Sequence, residues 1–262
     1  MGAKEIDELF ATTLRGEYDD DAPWKAVRDL HHIGTREVLE CAAEWSKSEN
    51  PLKRSRGADV LAQLGKSPEH PVHTFPEECY AAVAQMFHQE KEEQPLNSAI
   101  HAFGHLDDPR AIPLILSQSE NPSPHIRHAV AFALGSFAND PAAVQALLAL
   151  TSDPDEDVRD WAVFSLGQLG DADSPPIREA LLSRVSDANE NVREEALLGL
   201  ARRKEPRVLP TLIAALEKAH ADNSGIPMRI LDAADALLDL EHEREDWSLG
   251  QYAAALRDRF PL

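Results

Sequence analysis

The chain has 262 residues, with 46 acidic side chains against 26 basic ones and a formal net charge of -20. Such a surface repels nucleic acid and anionic lipid and favours basic partners. Two cysteines are too few for a disulfide framework, no run reaches the roughly 18 consecutive apolar residues of a membrane helix, and the opening MGAKEIDELF has neither a signal-peptide core nor, with Ile6, a myristoylation signal, so the expectation is a cytoplasmic protein that binds neither nucleic acid nor membrane.

Taken in chain order, the first third carries loosely related helical stretches: PWKAVRDLHHIG at 23–34, PLKRSRGADVLAQLG at 51–65 and PLNSAIHAFGHL at 95–106. Between the last two, SPEHPVHTFPEE at 67–78 breaks the spacing and is expected to form a protruding loop. From residue 125 a single phrase recurs: HIRHAVAFALGSF, DVRDWAVFSLGQLG, NVREEALLGLARR and, more loosely, PMRILDAADALLDL. Their arginines, Arg127, Arg159, Arg193 and Arg229, are 32, 34 and 36 residues apart, the period of stacked helix pairs. Apolar residues at three and four spacing, such as Val158, Ala162, Leu166 and Leu169, make each phrase a helix. Helices rich in Leu, Ile and Ala are expected before them at 110–118, 142–150, 176–184 and 207–218, with Asp-Pro and Glu-Pro turns as punctuation. The unit is therefore helix A, turn, helix B. A lone pair cannot bury its apolar face, so the units must stack into an all-α solenoid with an extended concave surface. The whole chain, 1–262, reads as one array: degenerate repeats over 1–94, regular repeats over 95–240, and a capping helix within 241–262, at about 247–260.

Six residues before the four arginines stand Asn121, Asp153, Asp187 and Asn223. An Asx side chain there is expected to cap the entering B helix, while the arginine reaches back to it or to its counterpart in the next repeat. These eight residues are read as a structural ladder with no catalytic part.

Asp153-Pro-Asp-Glu-Asp-Val-Arg159, followed by Ala162 and Leu166-Gly167, together with DDPRAIPLIL at 107–116, resembles the HEAT repeat in the variant shared with phycobilisome lyase subunits. DPDEDVRDWAVFSLGQL and ENVREEALLGLARRKEPRVLPTL resemble the corresponding pair of repeats in bacterial YibA-type HEAT-repeat proteins, a group associated with Rhs-type toxin loci. The resemblance implies a right-handed α-α superhelix of about six to seven helix pairs, of the armadillo-type class, with the B helices on the concave side. It also implies an interaction role, extending to immunity against an Rhs-type toxin, and it makes a bilin lyase subunit the enzymatic alternative.

Stepping about 100° per residue from each arginine, positions two, five and nine later point away from the buried face. They hold Ala129, Trp161 and Glu195, then Phe132, Phe164 and Leu198, then Ser136, Gln168 and Arg202. The row Phe132, Trp161, Phe164 suggests a binding patch, since exposed apolar clusters mark interaction sites; the other reading is that crowded B helices half bury those rings. Leu198, Gln168 and Arg202 extend the candidate surface, and His101, His105 and His128 are expected to line it beside the aromatic rings. Acidic clusters at 17–21, 90–93, 153–157 and 241–246 would form a rim that steers a basic protein or peptide.

Histidine pairs such as His101 and His105 also admit a metal reading. HEAT-like iron hydroxylases, however, use repeated His-Glu pairs, whereas here the matching pair is His128-Ala129 and the sole His-Glu is His242-Glu243. No phosphate loop, dinucleotide fingerprint, nucleophile elbow or H-E-x-x-H is present. HEAT-like DNA glycosylases need a basic groove, which the charge opposes. Cys41 and Cys79 are expected to be small buried hydrophobes on A helices, and His31, His32, His70 and His73 to be solvated. The reading is a non-enzymatic protein-binding scaffold with no metal or cofactor and an open oligomeric state.

Overall fold

Proline and Asx residues set the starts of the helices throughout the computed structural model, which describes residues 3–222, 224–240 and 247–260. Pro51, Pro76, Pro124, Pro141 and Pro175 open their helices, where a missing N–H costs nothing. Asn50, Asp140, Asp155 and Asn189 accept the first free amides. The described residues form helices joined by turns and gather into two compact units, 1–137 and 138–262.

In the first unit, α1 (Ala3–Thr13) pairs with α2 (Asp21–Ile33), α3 (Arg36–Trp45) with α4 (Pro51–Ala62), and α5 (Pro76–Gln89) with α6 (Glu93–Leu106). A 3-10 turn, Pro109–Ala111, leads into the short α7 (Ile112–Leu116), which pairs with α8 (Pro124–Gly135). The B helices α2, α4, α6 and α8 pack in succession, burying Leu30, Leu61, Ile100, Phe103 and Leu134 completely. Each such side chain contributes about 1.5–3 kcal/mol.

In the second unit, α9 (Pro141–Leu150) pairs with α10 (Glu156–Phe164), which continues into a π-helical turn, Ser165–Leu169. Next come α11 (Pro175–Arg184) with α12 (Glu190–Arg202), then α13 (Leu209–Ala221), entered through the 3-10 turn Pro206–Val208, with α14 (Met228–Leu238). A last helix, α15 (Leu249–Arg259), packs on α13 and occupies the predicted capping segment. Leu147, Leu181, Leu200, Leu212 and Leu237 form the core of this unit.

B helices approach one another at backbone distance. A Cβ on Gly199 would lie 2.7 Å from the Cα of Gly167, and one on Gly104 would lie 2.8 Å from the Cα of Ala133. Only glycine permits these crossings.

The segment at 67–78 is an exposed irregular stretch over 68–72, and only its second half departs from the expected loop. Residues 76–78 already belong to α5, and Thr74 is tied down: its Oγ1 donates to the Gly34 carbonyl at 3.0 Å, and its amide to that of Leu64 at 3.1 Å. The polar composition that suggested a loop also supplied the groups that pin it.

Substituting Gly199→Val should cost about 1–3 kcal/mol, because the new side chain meets backbone that cannot yield. Gly225→Ala, where nothing lies within 4 Å of the added Cβ, should stay within about 0.5 kcal/mol. Urea denaturation of both variants measures the difference.

Candidate functional site

The arginine ladder is present, with a different division of labour from the one its spacing suggests. Arg159 Nη1 donates to the carbonyls of Asp153 and Pro154 at 2.9 and 3.2 Å, while Nη2 and Nε clasp Asp187 of the next pair at 2.9 and 3.0 Å. Arg127 and Arg193 make the same backbone contacts, to Asn121 and Pro122 and to Asp187 and Ala188. The Asx residues are not the helix caps. Their side chains accept the amide two residues on, so Asn121, Asp153 and Asp187 bend the chain into the true caps Ser123, Asp155 and Asn189. Asp187 is almost fully enclosed, and the Arg159 guanidinium holds its carboxyl below the usual carboxylate range. Arg229 instead pairs with Glu195 and, at 3.8 Å, with Glu194; Asn223 lies outside the described residues.

The ladder also reaches into the repeats that read as degenerate. Arg54 donates to the Ser48 and Glu49 carbonyls at 2.9 and 3.0 Å and clasps Glu90 at 2.7 and 3.0 Å. Glu90 stands six before Leu96, the Asx place in that copy, and accepts the Glu92 amide as an Asx residue would. A glutamate at that register was the available signal.

On the B-helix face of the first unit, four of the predicted residues meet. The Phe132 ring sits between His101 and His105, with centroids 4.6 and 5.2 Å away, and His128 lies 6.3 Å from His101. All four are half-buried. His31, expected to be solvated, is buried, with Nε2 2.9 Å from the Asp59 carbonyl; half-buried His73 places Nε2 3.0 Å from the His105 carbonyl. Burial lowers His31 and His101 to about 4, leaving both imidazoles neutral at neutral pH. His32 and His70 are exposed.

In the second unit, Trp161 and Phe164 meet edge to face at 5.4 Å, both half-buried. Gln168, on the π turn, donates to Glu195, and exposed Arg202 donates to the Gln168 carbonyl. Leu198 departs from its expected outward position, being only 6 % exposed, and Ala129 in the first unit and Glu195 in the second are buried as well. Close crossings cover both flanks of a B helix, so its outward strip is narrower than a helical wheel allows. Burial raises Glu195 to about 7 and lifts Asp160 above its ordinary value; Asp160 Oδ1 is buried with no hydrogen-bond partner.

Two further clusters were not anticipated. Arg203 donates to the carbonyls of Leu166 and Gly167 in the π turn, of Gly170 and Ala172 just after it, and of Gly199 on α12. In the first unit Arg56 is fully buried, donating to the Thr13 and Tyr18 carbonyls and to Asp59 Oδ2, with its guanidinium 4.0 Å from the Tyr18 ring. Cys79 is buried in α5 and Cys41 half-buried in α3; burial pushes both thiols up, to about 12 and about 11. Among the described residues no group of three or more His, Cys, Asp or Glu side chains is arranged to hold a metal, and no helix is long and apolar enough to cross a membrane. His242-Glu243 and the acidic run at 241–246 lie outside the described residues.

The family description "HEAT repeats" matches residues 81–167 and 148–223. No curated protein matches the chain in sequence. Among solved structures, YibA of E. coli is 25 % identical with a TM-score of 0.69, over 96 % of this chain and 92 % of its own. The complex of CpcE and CpcF of phycocyanin lyase from Nostoc is 16 % identical with a TM-score of 0.51, over 97 % of this chain and 94 % of that one, a likeness of fold alone. The fold class is an all-α, HEAT-like repeat solenoid.

The buried imidazoles give the first unit a pH signature. Because their folded values lie below the 6.5 of a free imidazole, the unfolded chain takes up protons first as pH falls. The contribution of these two imidazoles should be full above pH 6.5 and decline between pH 6.5 and about 4, by up to about 1.4 kcal/mol per unit for each group. Urea midpoints measured across that window should flatten in His101→Phe; an unchanged slope would contradict the assignment.

Proposed function

We propose, from the premise that the chain belongs to the HEAT-repeat family, that it is a non-enzymatic scaffold whose B-helix face binds a basic protein or peptide. The observation that carries this reading is the surface beside Trp161 in the second unit. There Asp160, Glu194 and Glu195 share the field of Arg229, whose ion pairs among the described residues are with the two glutamates, and Asp160 keeps a buried oxygen with no donor among them. A partner's arginine or lysine would supply the charge these carboxylates lack, and the Trp161–Phe164 pair offers an aromatic surface for its stem. The net charge of -20 supports steering of such a partner from a distance.

The finer reading, from the sequence resemblance, is that the partner is a basic toxin domain which this chain neutralises in the cytoplasm. Co-expression with a candidate toxin should then rescue growth. The likeness to phycocyanin lyase subunits supplies fold alone and adds no support for bilin chemistry.

Trp161→Ala should weaken binding of an arginine- and lysine-rich peptide about tenfold or more, while circular dichroism shows the helices retained. The wild-type association rate should fall as salt rises. Unchanged affinity in the variant, or a salt-independent rate, would exclude this surface.

A further inference from the structure

Where α2 meets the turn that follows α4, the described residues frame an open cleft of about 600 Å3. Trp24 and Arg28, one turn apart on α2, supply one side, and Gln63 and Lys66 with the Pro68 and Pro71 rings supply the other. The turn is held in place. The Gly65 amide donates to the His31 carbonyl at 2.8 Å, the amides of Ser67 and His70 donate to each other's carbonyls at 2.8 and 3.1 Å, and Lys66 Nζ donates to the His105 carbonyl at the end of α6 at 3.0 Å.

The lining is rich in donors, and among the described residues no carboxylate belongs to it. Exposed Arg28 makes no hydrogen bond or ion pair among the described residues, although the chain carries 46 acidic side chains. Lys66 has no ion pair among them either and spends one N–H on the His105 carbonyl, which leaves two. The Trp24 indole N–H and the Gln63 amide likewise have no hydrogen-bond partner among the described residues. Acids in the surroundings stay outside the lining: Asp29 pairs with Lys25 at 2.6 Å, Glu69 accepts from Ser67 Oγ at 3.0 Å, and Asp107 reaches Lys66 through its field. Arg56 does not alter this balance, because it is buried with Asp59 behind the Trp24 ring, 5.0 Å from the ring centroid. Burial holds the Lys66 ammonium below its ordinary value, so an anion beside it would relieve a cost the fold already carries.

Uncommitted N–H donors on two sides of an acid-free cleft suit an acceptor-rich oxyanion, and Trp24 with the two proline rings adds flat apolar surface beside them. We propose that this cleft binds a small oxyanion carried on a planar ring, with the Arg28 guanidinium and the Lys66 ammonium on the oxyanion and Trp24, Pro68 and Pro71 against the ring. The site lies wholly in the first unit, is opposite in sign to the Trp161 surface, and stands or falls independently of it. The net charge of -20 opposes the approach of an anion from a distance, so selectivity comes from these short-range donors. A carboxylate and a phosphate ester share this chemistry.

The test is NMR titration of the full chain, following the Trp24 indole signal at about 0.15 M salt, where charges more than about 8 Å away are largely screened. The probes are benzoate, phenyl phosphate, benzyl alcohol as the uncharged analogue and benzylammonium as the cation. At least one of the two anions should shift the signal saturably and bind about tenfold or more tightly than benzyl alcohol, with benzylammonium silent. Tighter binding of benzoate identifies a carboxylate ligand, and tighter binding of phenyl phosphate identifies a phosphate ester. Arg28→Gln breaks no hydrogen bond or ion pair among the described residues, so circular dichroism should show the helices retained. The variant should bind the anions about tenfold more weakly while its affinity for benzyl alcohol stays the same. Benzyl alcohol or benzylammonium binding as tightly as the anions, no saturable shift with either anion, or undiminished anion affinity in Arg28→Gln overturns the proposal.

Discussion

A guanidinium shared between two helix pairs is the interaction on which the repeats depend. Arg159 satisfies two carbonyls in the turn of its own repeat with one nitrogen and clasps the carboxylate of the next repeat with two others. Arg54 does the same with Glu90. Lysine could not replace either, because a point charge lacks the planar fork that meets both partners at once. Burying such a pair costs desolvation, so its value lies as much in fixing register as in net stability. Register is what the glycine crossings need: the Gly167–Gly199 approach leaves no room for a slip along the helix.

That close packing decides what kind of surface the B helices can offer. With both flanks covered, the outward strip of α10 is reduced to half-buried rings and the edges of buried carboxylates. Polar groups in this setting are sparsely hydrated, so a missing partner matters more than on an open surface. In the second unit Asp160 retains an oxygen without a donor. It shares the field of one cation, Arg229, with Glu194 and Glu195, an imbalance that favours a cationic ligand.

Much of the fold was legible because repeat spacing and helical periodicity act together. The arginine period placed the B helices, and the Asp-Pro and Glu-Pro turns placed the A helices within a few residues of where they stand. The site was less legible, for physical reasons that differ by residue. Leu198 was misplaced because a helical wheel knows nothing of neighbours on either flank. His31 and His73 looked solvated because their partners are carbonyls of Asp59 and His105, distant in the chain. Glu90 escaped notice because a rung built from glutamate does not resemble one built from aspartate or asparagine, although it accepts the same amide. Arg203 gave no signal, since four of its five acceptors lie in or just after a π turn about 30 residues earlier in the chain.

The most direct measurement is a double-mutant cycle between Arg159 and Asp187, with Arg159→Ala, Asp187→Ala and the double variant unfolded in urea. If the shared guanidinium ties one helix pair to the next, the two changes will be coupled by about 1.5 kcal/mol or more, since each single change strands a partner in a poorly hydrated setting. Additivity within about 0.3–0.5 kcal/mol would show that the bridge is incidental and that apolar stacking alone holds the repeats in register.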